Sequence, residues 1–246
     1  MDGSDLFLFL LLLFLAEALG TLGGFGSSLF MIPLAGLFYP FHQVLLITAF
    51  LHVISNLSKI ALFRHGLSRF LLLYMGLPSV IGVLAGALLS VGVNDHLASL
   101  LLGIFLSLFS LVMLVFPGWK LKASKESALL TGGAAGFTAG LLGTGGAIRG
   151  LGLTAFGLEK MSFVATSAAI DLGVDSSRLA VYWMESSLPA HFWKELPFMM
   201  LVSVLGTFTG RSLLHRVSQD QFRQIILFLI LGAGLWSLYV FFFGNK

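Results

Sequence analysis

The chain has 246 residues, 57% of them hydrophobic and only 10% charged, with a mean hydropathy of +0.98. A soluble domain carries about 25% charged residues, so there is too little polar surface here to coat a water-facing globule, and a polytopic membrane protein is expected. The formal charge of +3 sits on basic residues scattered among short loops rather than on one face, which argues against a nucleic-acid partner, and the absence of cysteine excludes disulfides, thiolate metal sites and Cys nucleophiles.

In chain order, the first element runs roughly from 6 to 39 and is interrupted by glycines. Its start, Leu6 to Leu15 followed by Ala16-Glu17-Ala18, has the outline of a secretory leader. Asp2 and Asp5 stand where Lys or Arg belong, however, and the segment has a counterpart in mid-chain, so it reads as part of the mature fold. Hydrophobic spans follow near 41 to 63, 70 to 92 and 97 to 117, completing a first repeat over 1–117. After a linker at 118–126, a second repeat over 127–246 opens with another glycine-interrupted segment, 127 to 157, and continues with spans near 160 to 183, 194 to 214 and 221 to 243. Each interrupted segment is expected to divide into two pieces of about 12 to 16 residues, roughly 18 to 24 Å of helix, short of the ~30 Å hydrocarbon core.

The two series align at an offset of 119 positions. Leu22-Gly23-Gly24-Phe25-Gly26-Ser27-Ser28 then falls beside Leu141-Leu142-Gly143-Thr144-Gly145-Gly146-Ala147, and Ala49, Ser58, Lys59 and Ala61 fall on Ala168, Ser177, Arg178 and Ala180. Later, Gly82-x-x-x-Gly86 meets Gly206-x-x-x-Gly210. Loop charge supplies a topology. Lys120, Lys122 and Lys125 mark the central loop as cytoplasmic, and Arg211, Arg216 and Arg223 mark the loop before the last span likewise. An even number of crossings must separate two cytoplasmic loops, so one of the three intervening segments enters and leaves on one side. The broken segment is the natural one. The same rule puts Arg64 and Arg69 inside. The expected fold is therefore an all-α membrane protein of two inverted repeats, each a glycine-broken, re-entrant helical hairpin plus three transmembrane helices. It is multi-pass in the cell membrane, with both termini outside.

Ionisable residues at membrane depth cost at least ~2.5 kcal/mol each and are functional candidates. Asp171, Asp175 and Arg178 are spaced i, i+4, i+7 on one helical face, and His52, Asn56 and Lys59 hold the aligned positions in the first repeat. If the repeats are inverted, these faces meet near the midplane. A structural alternative has Asp175 and Arg178 neutralising each other as an i, i+3 pair. Short interrupted segments in matching positions point to a transporter's binding site. Gly24, Gly26, Ser27 and Ser28 in one break, and Gly143, Thr144, Gly145 and Gly146 in the other, let backbone approach a ligand and offer helix N–H groups to an anion. Arg149, just beyond the second break, can hold an oxyanion bidentately; close helix packing and an ion pair are the alternative reading. Glu17, His52, Asp171 and Asp175 are candidates for proton coupling. His42, His65, His191 and His215 lie at span ends, and Trp119, Tyr182, Trp183, Trp193, Trp236 and Tyr239 read as interface anchors or packing residues.

No His-Glu-x-x-His helix, Gly-x-Ser-x-Gly elbow or Walker lysine loop occurs. An enzyme is not expected, nor is a cofactor or metal, and transport would run on a gradient.

Gly24-Phe25-Gly26-Ser27-Ser28 with Pro33-Leu34, Gly143-Thr144-Gly145-Gly146-Ala147, Ala165-Thr166-Ser167-Ala168 and Arg64-His65-Gly66 together resemble the TauE/SafE sulfite exporter family, over nearly the full chain. That resemblance implies an integral membrane transporter of small anions, often sulfite or organosulfur carboxylates and sulfonates, usually outward. The chain departs from the family pattern at Ser27 and Ser28, at Arg149, and at Asp171 and Asp175. The expected function is a secondary transporter, an exporter of a small anion held near the midplane between the two breaks. A passive anion channel and a non-transporting scaffold subunit are the alternatives. The partners are the anion and the lipid bilayer, and the Gly-x-x-x-Gly motifs permit a homo-oligomer.

Overall fold

The computed structural model describes residues 3–23, 26–63, 66–117, 121–185, 188–213 and 219–244, without the side chains of 23 and 219–223. Gly24, Phe25, Arg64, His65, Trp119, Lys120, His215 and Arg216, and the side chain of Arg223, therefore lie outside the described residues. What is described is helical, with no strand: α1 (Gly3–Gly23), α2 (Ser28–Ala35), α3 (Phe41–Leu62), α4 (Arg69–Leu71), a π-helical turn (Leu72–Gly76), α5 (Leu77–Ser90), α6 (Asp95–Val115), α7 (Lys125–Leu142), α8 (Gly146–Thr154), α9 (Lys160–Glu185), α10 (Phe192–Leu213) and α11 (Gln219–Phe243). α4, the π turn and α5 form one continuous span, Arg69–Ser90.

Among the described residues, six helices are long and apolar enough to cross a membrane: α1, α3, the Arg69–Ser90 span, α6, α10 and α11. Two of these assignments differ from the sequence reading. The glycine-broken segments do not divide into similar halves; they divide into a long arm and a short one. α1 has 21 residues and α7 has 18, about 31 and 27 Å, whereas α2 has 8 and α8 has 9. Gly20 and Gly23 stay helical, while Gly26 and Gly143 at the two breaks take φ of 86° and 78°, left-handed values that a side chain resists. α9, expected as an apolar span, has 26 residues but is made too polar by Asp171, Asp175 and Arg178 to qualify on composition.

The four most extensive helix pairings are α5 with α7, α6 with α11, α1 with α10 and α3 with α9, each joining an element of the first half to one of the second. Both Gly-x-x-x-Gly motifs serve these pairings within one chain. Gly82 and Gly86 lie against the backbone of α7 at Gly133 and Phe137, and Gly206 and Gly210 against α1 at Phe14 and Ala18, leaving no room for a Cβ.

The molecule is inside-out. Phe7, Ile81, Leu88, Leu108, Phe228 and Phe242 are exposed on its flanks, while Glu17, Asn56, Lys59, Arg149, Asp175 and Arg178 are buried. Such a surface is stable against acyl chains rather than water, and the interior ions are held by one another. The central elements, α3 and α9, carry most of these ions.

Candidate functional site

α3 and α9 are buried helices that present their polar faces to each other. The i, i+4, i+7 spacing places His52, Asn56 and Lys59 along one line of α3, and Asp171, Asp175 and Arg178 along one line of α9. The faces are directly bonded. Asn56 Nδ2 donates to Asp175 Oδ2 at 2.7 Å, and Arg178 Nη2 lies 2.8 Å from His52 Nδ1. An arginine can only donate, so His52 Nδ1 accepts and the proton of the neutral ring sits on Nε2. That Nε2 is buried and has no hydrogen-bond partner. Arg178 also donates from Nε to Asp175 Oδ1 at 2.8 Å, the i, i+3 pair expected from spacing, and from Nη1 to the Gly143 carbonyl at 3.0 Å. Arg178 thus ties the second glycine break to both central helices.

The two breaks come together at this face. Ser28 Oγ and Thr144 Oγ1 are 3.2 Å apart, linking residues from opposite halves. α8, the short arm after the second break, points Arg149 back at α9, where both terminal nitrogens engage both oxygens of Asp171 and Nε donates to Ser167 Oγ at 3.0 Å. Gly26 faces this fork. A Cβ there would stand 3.5 Å from Arg149 Nη2, 3.8 Å from Ser28 Oγ and 3.9 Å from Asp171 Oδ2.

A cavity lies between these groups. Gly26, Ser27 and Ser28 line it from the first break; Gly143, Gly145, Gly146 and Arg149 from the second; His52, Asn56 and Lys59 from α3; and Asp171, Val174 and Asp175 from α9. A second cavity shares Gly26, Asn56, Lys59 and Asp171 with it and continues past Gly20, Thr21, Val164, Ser167 and Ala168. Glu17 stands beside the cavities. It accepts from Ser55 Oγ at 2.7 Å and pairs with Lys59 Nζ at 3.5 Å, and Ser55 reaches Thr207 on α10 at 3.3 Å. Among the residues singled out from the sequence, Thr144 and Arg178 support the cavity from behind, Glu17 flanks it, and Gly24 lies outside the described residues.

Sequence reasoning did not find Ser167, Ser55 or Thr207. Ser167 is one turn before Asp171 on the same face, a spacing that could have found it; Ser55 and Thr207 are ordinary helix hydroxyls whose role depends on what packs beside them. Tyr182 is a packing residue, buried, with its hydroxyl donating to the Gly140 and Ala139 carbonyls. Trp183, Trp193, Trp236 and Tyr239 are about half exposed, as side chains at a lipid or interfacial surface would be.

Every cation of this cluster has its own carboxylate: Arg149 with Asp171, Arg178 with Asp175, Lys59 with Glu17. Ions buried in this way are tolerable because they are paired and hydrogen-bonded, and each is held in one geometry. The described residues contain no group of three or more His, Cys, Asp or Glu able to hold a metal. The arrangement gathers instead the Arg149 guanidinium, serine hydroxyls and helix-start N–H groups around one cavity, donors of the kind that suit an oxyanion.

A family model described as sulfite exporter TauE/SafE matches residues 9–237. Comparison with curated proteins and with solved structures gives no match.

Proposed function

Because the chain belongs to the sulfite exporter TauE/SafE family, a family of membrane transporters, we propose that it is a secondary transporter that exports a small oxyanion, sulfite or an organosulfur or carboxylate relative, from a site between the two glycine breaks. The observation that carries this reading is the cavity itself, where residues from both breaks surround Arg149. The substrate-binding groups are Gly26, Ser27, Ser28, Gly143, Gly145, Gly146, Asn56, Lys59 and Arg149, with Thr144 and Arg178 holding them from behind. His52 joins them, since its only unpartnered nitrogen is a donor on a ring that lines the cavity.

The helix pairings support an inverted repeat. A two-fold operation exchanging α1 with α7, α3 with α9, α5 with α10 and α6 with α11 turns the α1–α10 contact into α7–α5 and returns α3–α9 and α6–α11 to themselves, which are the four pairings found. α2 and α8, about 12 and 14 Å long, are each too short to cross the ~30 Å hydrocarbon core, which supports a broken element with one short arm in each repeat. With the basic loops inside, both termini then lie outside the plasma membrane. The near-complete burial of His52, Asn56 and Lys59 favours alternating access over an open pore.

The test is thermal stability of the purified protein against sulfite, sulfate, thiosulfate, taurine, sulfoacetate and simple carboxylates, since specific binding stabilises by mass action. One anion is expected to raise Tm dose-dependently, and Arg149→Gln to abolish the shift while still yielding folded protein. A normal shift in that variant removes Arg149 from the site.

A further inference from the structure

We propose that binding of the anion is coupled to uptake of one proton by Asp171, because carboxylate and anion share the guanidinium of Arg149. The inference rests on the anion reading above and specifies how such a site is driven. Arg149 spends Nη1 and Nη2 on the two oxygens of Asp171 and Nε on Ser167, so its fork is occupied as long as Asp171 is ionised.

Charge balance leads to the same result. The buried cluster holds three cations and three carboxylates, each cation with its partner. A singly charged anion entering between the breaks leaves one uncompensated negative charge at membrane depth, where unpaired ions are expensive. One carboxylate must then take a proton. Asp175 uses both oxygens on Arg178 and Asn56, and Glu17, with Oε2 on Ser55 and Lys59 and Oε1 unpartnered, lines neither cavity. Asp171 alone lines both cavities, and its side chain keeps 14% of its exposure against 7% for Asp175 and none for Glu17.

Asp171 is the most accessible acceptor for that proton among the groups that face it. From α8 it meets Arg149; from α3, Asn56 and Lys59 across the cavity, with His52 further along and its Nδ1 held by the Arg178 donor; from its own helix, Ser167, Asp175 and Arg178. α1 contributes Gly20 and Thr21, with Glu17 beyond Lys59; α7 contributes Ala139 and Gly143; α5 and the π turn meet α9 through Val80 and Gly76. Protonated Asp171 releases the fork, the anion occupies it, and the cluster stays neutral. A singly charged anion therefore travels with one proton and carries no net charge.

The experiment is calorimetric titration of the full chain in lipid nanodiscs with sulfite, in two buffers of different ionisation heat, which counts the protons taken up per anion bound. Sulfite's own ionisation is common to all variants and drops out of the comparison. Wild type is expected to take up about one proton more per sulfite than Asp171→Asn. Its affinity should also weaken relative to that variant as pH rises, by up to about tenfold per pH unit. Asp171→Ser replaces the Asn variant if the amide disturbs folding. Equal proton counts in wild type and a folded variant that both bind sulfite overturn the coupling and leave the anion site standing. No binding heat and no thermal shift with sulfite in wild type overturn the anion reading and the coupling with it.

Discussion

Gly26 and Gly143 show how much of this site depends on single backbone angles. Both hold left-handed φ, and neither can be replaced without strain of about 1–2 kcal/mol per residue. At Gly26 the added Cβ meets the site at ordinary contact distances, so strain is the whole cost. At Gly143 it also collides with the side chains of Ile32 and Leu45. Gly143→Ala is therefore expected to lower the free energy of unfolding in mixed micelles more than Gly26→Ala does. Equal losses would mean that the packing against α2 and α3 yields freely. The Glu17–Lys59 pair allows a second residue-scale prediction. Removing one partner of a buried ion pair costs about 3–5 kcal/mol, whereas removing both is often close to neutral. Glu17→Gln should destabilise strongly, and Glu17→Gln with Lys59→Met should restore most of the loss in the same unfolding measurement; an additive loss in the double variant would show that the pair carries no coupling. The polar faces of α3 and α9 were legible from spacing alone, because ionisable residues in apolar helices have few tolerable positions. Their partners were not: Asp171 could have paired with Arg178 or Arg149, and only the return of α8 onto α9 selects Arg149.

At the scale of elements, the breaks divide each hairpin into a long arm that packs and a short arm that brings its start to the cavity. The long arms are held by glycine contacts. Gly136 on α7 lies directly against the Ser79 backbone of α5, while Gly133, nearly one turn earlier, faces open space. Gly136→Leu is expected to force the helices apart at a cost of about 1–3 kcal/mol or more, visible as a lower Tm, and Gly133→Leu to leave Tm nearly unchanged. Similar losses in the two would show that the cost does not arise at the close contact of Gly136 with α5. The uneven arms were not readable from the sequence, because a glycine run fixes where a break is allowed and not where it falls. Gly20 and Gly23 remain helical and Gly26 does not, a choice made by the packing of Gly20 against the Ser27 backbone.

At the scale of the whole molecule, the apolar exterior and paired ionic interior describe a protein built for a bilayer, in agreement with its membrane transporter family. The natural absence of cysteine makes its topology directly testable. Single cysteines at Gly3→Cys and Gly244→Cys are expected to react with an impermeant maleimide added outside intact cells, and Lys122→Cys only after the membrane is opened. Labelling of Lys122→Cys from outside, or of opposite termini from opposite sides, would overturn the inverted arrangement.

The sequence by itself determined the solvent, the helical class, the family and the residue faces that carry charge. The solvent, the class and the charged faces follow from composition and from periodicity along one helix, and the family from the resemblance carried by the glycine clusters and the motifs beside them, all of them local properties. The tertiary structure decided which charges pair, which glycine turns the chain, and that α9, too polar to pass as a span, runs against α3 at the centre of the molecule. Those outcomes depend on contacts between residues more than a hundred positions apart, such as Asn56 with Asp175 and Ser28 with Thr144. An ion pair's energy depends on the separation and burial of both partners, and neither is defined until the two halves have packed.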